Sequence, residues 1–132
     1  MSAAASSPLV LQALCVAAGS AVGALLRWAV GLALNPLWAG FPLGTLAINM
    51  AGGLVIGVAA AWLVQPGDHL LRLLLMTGLC GGFTTFSAFS LESLLLLQRG
   101  AVGMAAAHAL AHVLGALGCT ALGWWLAQVV LR

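Results

Sequence analysis

The sequence contains no lysine, one aspartate and one glutamate in 132 residues. Four arginines complete a charged set that makes up 5% of the chain, against about 25% in soluble domains. So few charges cannot clothe a globule in polar surface, which excludes a soluble domain. Apolar types reach 64% and mean hydropathy is +1.18, which excludes intrinsic disorder. The net charge of +2 is small and scattered, so no basic patch addresses a nucleic acid. Cysteine is scarce as well. Cys15, Cys80 and Cys119 are odd in number, lie inside apolar runs and lack metal-ligand spacing, so they read as small packing residues. The first residues carry no positive charge ahead of their apolar run, so they do not read as a signal peptide. The length suits a single domain. What remains is a small polytopic membrane protein.

Four apolar segments are present, over residues 9–34, 43–64, 70–98 and 102–131. Asn35-Pro36 ends the first, because proline cannot continue a helix. Pro66-Gly67-Asp68 ends the second, and Arg99-Gly100 ends the third. Each exceeds the roughly 20 residues needed to cross a bilayer core. No alternation of period two persists, so the expected fold is an all-α membrane protein of four transmembrane helices in one domain. The loops are short and leave no room for a catalytic domain outside the membrane. The third segment is the odd one. As one unbroken helix it would span about 43 Å, and its centre holds Gly81-Gly82 followed shortly by Thr84-Thr85. These are poor helix residues, and the expectation is a break between Gly81 and Thr85. Irregular backbone at membrane depth survives only beside a cavity or a protein partner.

Small residues recur every fourth position in the other helices. They are Cys15, Gly19 and Gly23, leading to Arg27; Thr45, Asn49, Gly53 and Gly57; and Ala107, Ala111, Gly115, Cys119 and Gly123. Such stripes let membrane helices approach closely. A second stripe on the last helix runs His108, His112, Ala116, Thr120. Trp38, Trp62, Trp124 and Trp125 lie near segment ends, as an interfacial belt places them, and Trp28 does not. Orientation is poorly specified. Arg72 and Arg132 fall on one side; Arg99, with Arg27 if it sits near its helix end, falls on the other. The positive-inside rule needs an asymmetry. Without one, the chain can insert both ways, and opposed copies can pair about a two-fold axis in the membrane plane.

Several polar residues within the helices leave two readings open. Glu92 and Arg27 either snorkel to the interface or serve a cavity, and Arg27 suits an anion-attracting charge at a pore mouth. Asn49 cannot snorkel; it bonds a neighbouring helix or lines a path. His108 and His112, one turn apart, either hydrogen-bond helices or bind metal or haem, with no carboxylate or thiol close in sequence. Phe86 and Phe89 share a helix face. They are interleaved with Ser87 and Ser90 and follow the expected break. No nucleophile–base pair is present, so an enzyme is not expected.

Three blocks stand out: Gly23-Ala-Leu-Leu-Arg27-Trp28, Gly44-Thr45-Leu-Ala-Ile-Asn49, and Gly78-Leu-Cys-Gly81-Gly82-Phe-Thr84-Thr85-Phe86-Ser87-Ala88-Phe89-Ser90-Leu-Glu92. Together they resemble the Fluc (CrcB) fluoride channel family, in order and spacing, over nearly the whole chain. The resemblance implies a passive, selective fluoride channel that releases fluoride from the cytoplasm across the inner (plasma) membrane and relieves fluoride toxicity. It implies a dual-topology antiparallel homodimer in the lipid bilayer, with two pores and a central Na⁺. It assigns the pore to Asn49, Phe86, Phe89, Ser87 and Thr120, with Arg27 as the family's first-helix arginine, and the Na⁺ to backbone carbonyls of Gly81 and Thr84. Ala88 departs from the family's frequent Thr and removes one hydroxyl. The chemistry is consistent with this reading. Fluoride is small and strongly hydrated, amide and hydroxyl donors can replace its water, and phenyl edges are electropositive. No Lys or Arg lies between Arg72 and Arg99 to trap the anion. Two other classes compete: a dual-topology small multidrug exporter, which relies on a glutamate in the first helix where this chain has Arg27, and a haem-binding membrane anchor using His108 or His112.

Overall fold

A computed structural model describes residues 7–64 and 66–131, and these are helical apart from short turns. Helix α1 is Leu9–Leu34 and α2 is Leu43–Trp62. The third span, His69–Gln98, has two halves, α3 over residues 69–83 and α4 at Phe86–Gln98; α5 is Val102–Val130. Four spans are long and apolar enough to cross a membrane, so the chain is a multi-pass membrane protein. Large side chains such as Leu9, Leu25, Trp28 and Leu117 point outward. In lipid this exposure has no hydrophobic cost, so the interior can be built from small residues. The buried set is accordingly modest: Ile48, Ala59, Ala61, Cys80, Leu96, Ala105 and Ala127 line the core with Phe41 at its end.

The turns follow their residues. Pro36 ends α1 in a single 3₁₀ turn, Asn35–Leu37. The Asn35 side chain then accepts a hydrogen bond from the Gly44 N–H at 2.8 Å, fixing the start of α2 against the end of α1. Gly100, at φ 73°, closes α4: its N–H donates to the Leu97 carbonyl and the next N–H, from Ala101, to the Leu96 carbonyl. This paired αL closure reverses the chain tightly and lays α4 antiparallel to α5.

Packing joins α1 to α3 and α2 to α5 most extensively. Both seams depend on glycine. A Cβ on Gly23 would overlap the Leu79 carbonyl oxygen and lie 2.7 Å from the Phe83 nitrogen. A Cβ on Gly57 would overlap the Thr120 carbonyl oxygen and lie 2.9 Å from the Trp124 nitrogen. On α5 both small-residue stripes receive α2: Ala116 and Thr120 meet Gly53 and Gly57, while Gly115 lies against Met50 and Gly123 against Leu54.

The break is narrower than the glycines suggest. Gly81–Phe83 stay helical, and only Thr84 (ψ 161°) and Thr85 (φ −153°, ψ 122°) are extended. Gly82 is needed for approach rather than unwinding, because its Cβ would come 2.8 Å from Ser20 Cα. Ahead of the break, Leu73–Cys80 is wound as a π-helix, which the residue pattern does not foretell. The two threonines punctuate the chain. Thr84 Oγ1 donates to the Cys80 carbonyl at 2.8 Å and closes α3. Thr85 Oγ1 accepts from the Ala88 N–H at 3.2 Å and caps α4.

Candidate functional site

The break is held from α2. Asn49 Oδ1 accepts the Thr85 N–H at 2.8 Å, and Asn49 Nδ2 donates to the Thr85 carbonyl at 2.9 Å. The amide thus replaces both backbone partners that Thr85 loses by leaving the helix. At membrane depth those groups would otherwise be costly orphans. An unpaired Asn49 amide would offer two N–H donors; this pairing leaves one.

Asn49, Thr85, Phe86 and Phe89 line one open cleft of about 400 Å³, together with Gly81, Thr84 and His112. The Phe86 and Phe89 rings sit 5.4 Å apart at 48°. Phe86 is 78% exposed on the single chain. Phe89 instead lies on two imidazoles, 5.2 Å from His108 and 4.7 Å from His112. The cleft is therefore mostly apolar, with a few polar groups at the break and a histidine at its wall.

Three of the expected pore residues lie outside this cleft of the single chain. Thr120 Oγ1 bonds the Ala116 carbonyl of its own helix at 2.9 Å and packs against Gly53, outside the cleft. Ser87 is exposed, with its Oγ 3.3 Å from Thr85 Oγ1. Arg27 is on the other side of the break, lining a second cavity of about 500 Å³ with Thr45, Thr85, Ala88 and Glu92. Its Nη1 approaches the Thr84 carbonyl at 3.5 Å, the long limit of a hydrogen bond. Thr85 alone among the break residues lines both cavities.

Residues 14–124 match the family described as CrcB-like protein, Camphor Resistance (CrcB). The chain belongs to the CrcB family. A relative from Aromatoleum aromaticum, "Fluoride-specific ion channel FluC", is 50% identical over 126 residues, covering 94% of each chain. A protein of the same name from Pseudomonas aeruginosa is 53% identical over 112 residues, covering 83% of this chain and 88% of its own. One from Cronobacter sakazakii is 44% identical over 115 residues, 86% of this chain and 91% of its own. Neither competing class finds support in these relatives. At His108 a haem anchor is also opposed by geometry in this CrcB chain, since that ring is fully buried and packs against both Phe41 and Phe89.

The Na⁺ assignment can be tested on donor chemistry. The i+4 partner of the Gly81 carbonyl is the Thr85 N–H, which Asn49 takes. Among the described residues the Thr84 carbonyl meets only the long Arg27 contact. Around Gly81 a Cβ would find no atom within 4 Å. Two underused carbonyl oxygens on an open surface fit a hard cation, which prefers oxygen ligands. One chain supplies only two, and the nearby guanidinium opposes a cation at Thr84.

Proposed function

We infer that this CrcB chain is a fluoride-selective channel of the plasma membrane that lets fluoride leave the cytoplasm passively, and that it is not an enzyme. The supporting observation is the cleft in which the Asn49 amide, bound to the helix break, faces the same space as Phe86 and Phe89. Fluoride gives up water only for comparable donors. The remaining Asn49 N–H and the Thr85 hydroxyl are such donors, and the electropositive ring edges extend the path without a fixed cation that would hold the ion. Ser87 and Thr120 add hydroxyls along the route once a second copy closes the open face. Arg27, at the opposite cavity, draws anions toward the break.

The working unit in this reading is an antiparallel homodimer. Its support is the near-equal arginine count on the two sides and the cleft left open on the single chain. Two copies bring Gly81 and Thr84 carbonyls together as four oxygens, and these would hold a structural Na⁺. That ion supplies charge to bind the opposed breaks and takes no part in conduction.

The deciding measurement is fluoride efflux from liposomes containing the purified chain. Fluoride should leave rapidly and chloride should not; equal flux of both refutes the assignment. Exhaustive replacement of Na⁺ by a large organic cation should lower flux reversibly, and undiminished flux would remove the ion while leaving the channel. Added lysines that force one orientation should silence the chain until a variant forced into the opposite orientation is co-expressed. Full activity from one orientation alone would refute the antiparallel dimer.

A further inference from the structure

The tight α4–α5 turn brings Glu92 against two histidines that lie 16 and 20 positions further along. One ligand atom from each of Glu92, His108 and His112 lies within 4.8 Å of the others, and His108 Nε2 is 3.4 Å from Glu92 Oε2. His108 is 0% and His112 5% exposed. Glu92 Oε2, His108 Nε2 and His112 Nε2 are all buried without a hydrogen-bond partner.

The surrounding bonds fix where the protons are. The Ser93 hydroxyl donates its one proton to the Phe89 carbonyl at 2.8 Å. Ser93 Oγ can therefore only accept from His108 Nδ1, 3.0 Å away. His112 Nδ1 lies 3.0 Å from the His108 carbonyl, which can only accept, so this nitrogen also bears a proton. Each neutral imidazole then presents a bare lone pair at Nε2. Glu92 Oε1 accepts from the Thr45 hydroxyl at 2.5 Å, leaving Oε2 as the third lone pair. Three acceptors converge with no donor among them. One added proton on His108 would serve the Glu92 pair and leave His112 bare.

We propose that Glu92, His108 and His112 form a binding site for a divalent first-row transition cation such as Zn²⁺, with a fourth position open. Zinc bonds of about 2.0–2.2 Å in tetrahedral array put neighbouring ligands about 3.4 Å apart, which is the His108–Glu92 separation. Ligand atoms up to 4.8 Å apart must close by up to about 1.4 Å to reach that geometry; Glu92, tethered through Oε1 alone, can turn Oε2 to supply part of it. Ser93, Thr45 and the His108 carbonyl hold the three ligands from behind, the outer shell such sites use. Access exists, because Glu92 lines the cavity of about 500 Å³ and another of about 210 Å³ near the α1–α2 turn. The consequence for transport rests on the channel reading. Phe89 stacks on the His108 imidazole and lies tilted against that of His112, so a bound dication fixes that ring, places positive charge beside the path and slows fluoride.

The test uses tag-free full-length protein stripped with chelator and titrated with ZnCl₂ against a zinc-sensitive dye. One ion should bind per chain. His108→Asn and His112→Asn should each weaken binding at least tenfold, and Ser93→Ala, which frees the His108 ring, about tenfold. His69→Asn, at an exposed histidine outside the cluster, should change nothing. If the histidine variants fail to fold, Glu92→Gln keeps the acceptor for Thr45 and removes the charge, and should weaken binding likewise. Absence of saturable binding, or binding retained in these variants, overturns the site. In liposomes ZnCl₂ should slow fluoride efflux through the wild type and not through His112→Asn relative to its own metal-free rate. Stoichiometric binding with unchanged wild-type flux would overturn the block and leave the site.

Discussion

Asn49→Ala removes both bonds that hold the broken third span. The Thr85 N–H and carbonyl, now paired at 2.8 and 2.9 Å, would lose their partners. An unsatisfied buried polar group costs about 1–3 kcal/mol. Two such groups set an upper bound near 6 kcal/mol. Water in the adjoining cleft can recover part of that, because Thr85 lines it. The expected loss is therefore about 3 kcal/mol. Asn49→Asp should cost less, since a carboxylate still accepts from the Thr85 N–H, but it sets an oxygen against the Thr85 carbonyl. Unfolding in detergent, followed by tryptophan fluorescence, gives the stability, and fluoride efflux from the same preparations gives the activity. Both variants should lose flux, and stability should fall in the order wild type, Asp, Ala. An Asn49→Ala protein as stable as wild type would refute the bridging role, whatever its flux.

Other substitutions separate the seams from the pathway. Gly57→Ala should destabilise strongly, because its Cβ overlaps the Thr120 carbonyl, whereas Gly118→Ala, with nothing within 4 Å, should be neutral or stabilising by up to about 1 kcal/mol; equal melting temperatures would contradict the close α2–α5 approach. Phe89→Ile should lower flux and also stability, by about 0.5–1.5 kcal/mol, through lost contact with the two imidazoles. Phe86→Ile, at an exposed ring, should lower flux alone, and a matching stability loss at both rings would undo the distinction. Gly81→Val meets no neighbour within its own chain and keeps a helical φ of −62°, so the monomer fold should survive. Its flux should fall through the opposing copy, and wild-type flux would exclude Gly81 from the dimer axis.

The sequence by itself determined the parts that depend on composition and chain-local chemistry. Scarce charge and four apolar runs dictate membrane spans, and Asn35-Pro36 and Arg99-Gly100 end helices through steric and φ requirements that need no partner. Thr84-Thr85 marks the break because hydroxyl-bearing residues close and cap helices locally. Tertiary structure decided what depends on which faces meet. Gly81 and Gly82 look like the weak point of the third span, yet they stay helical, because Gly82 packs on Ser20 and the close approach holds the helix wound. Asn49 is polar in any reading, but its pairing with Thr85 follows from the α2 seam, which spans 36 positions of sequence. Thr120 has the right chemistry for a pore, and it is the α2–α5 seam that sets its hydroxyl beside Gly53. The same holds for the histidines. In sequence they lack a carboxylate, and only the antiparallel return of α5 along α4 brings Glu92 to 3.4 Å from His108. Periodicity places a residue on a face of its own helix; the crossing and register of neighbouring helices decide what that face meets.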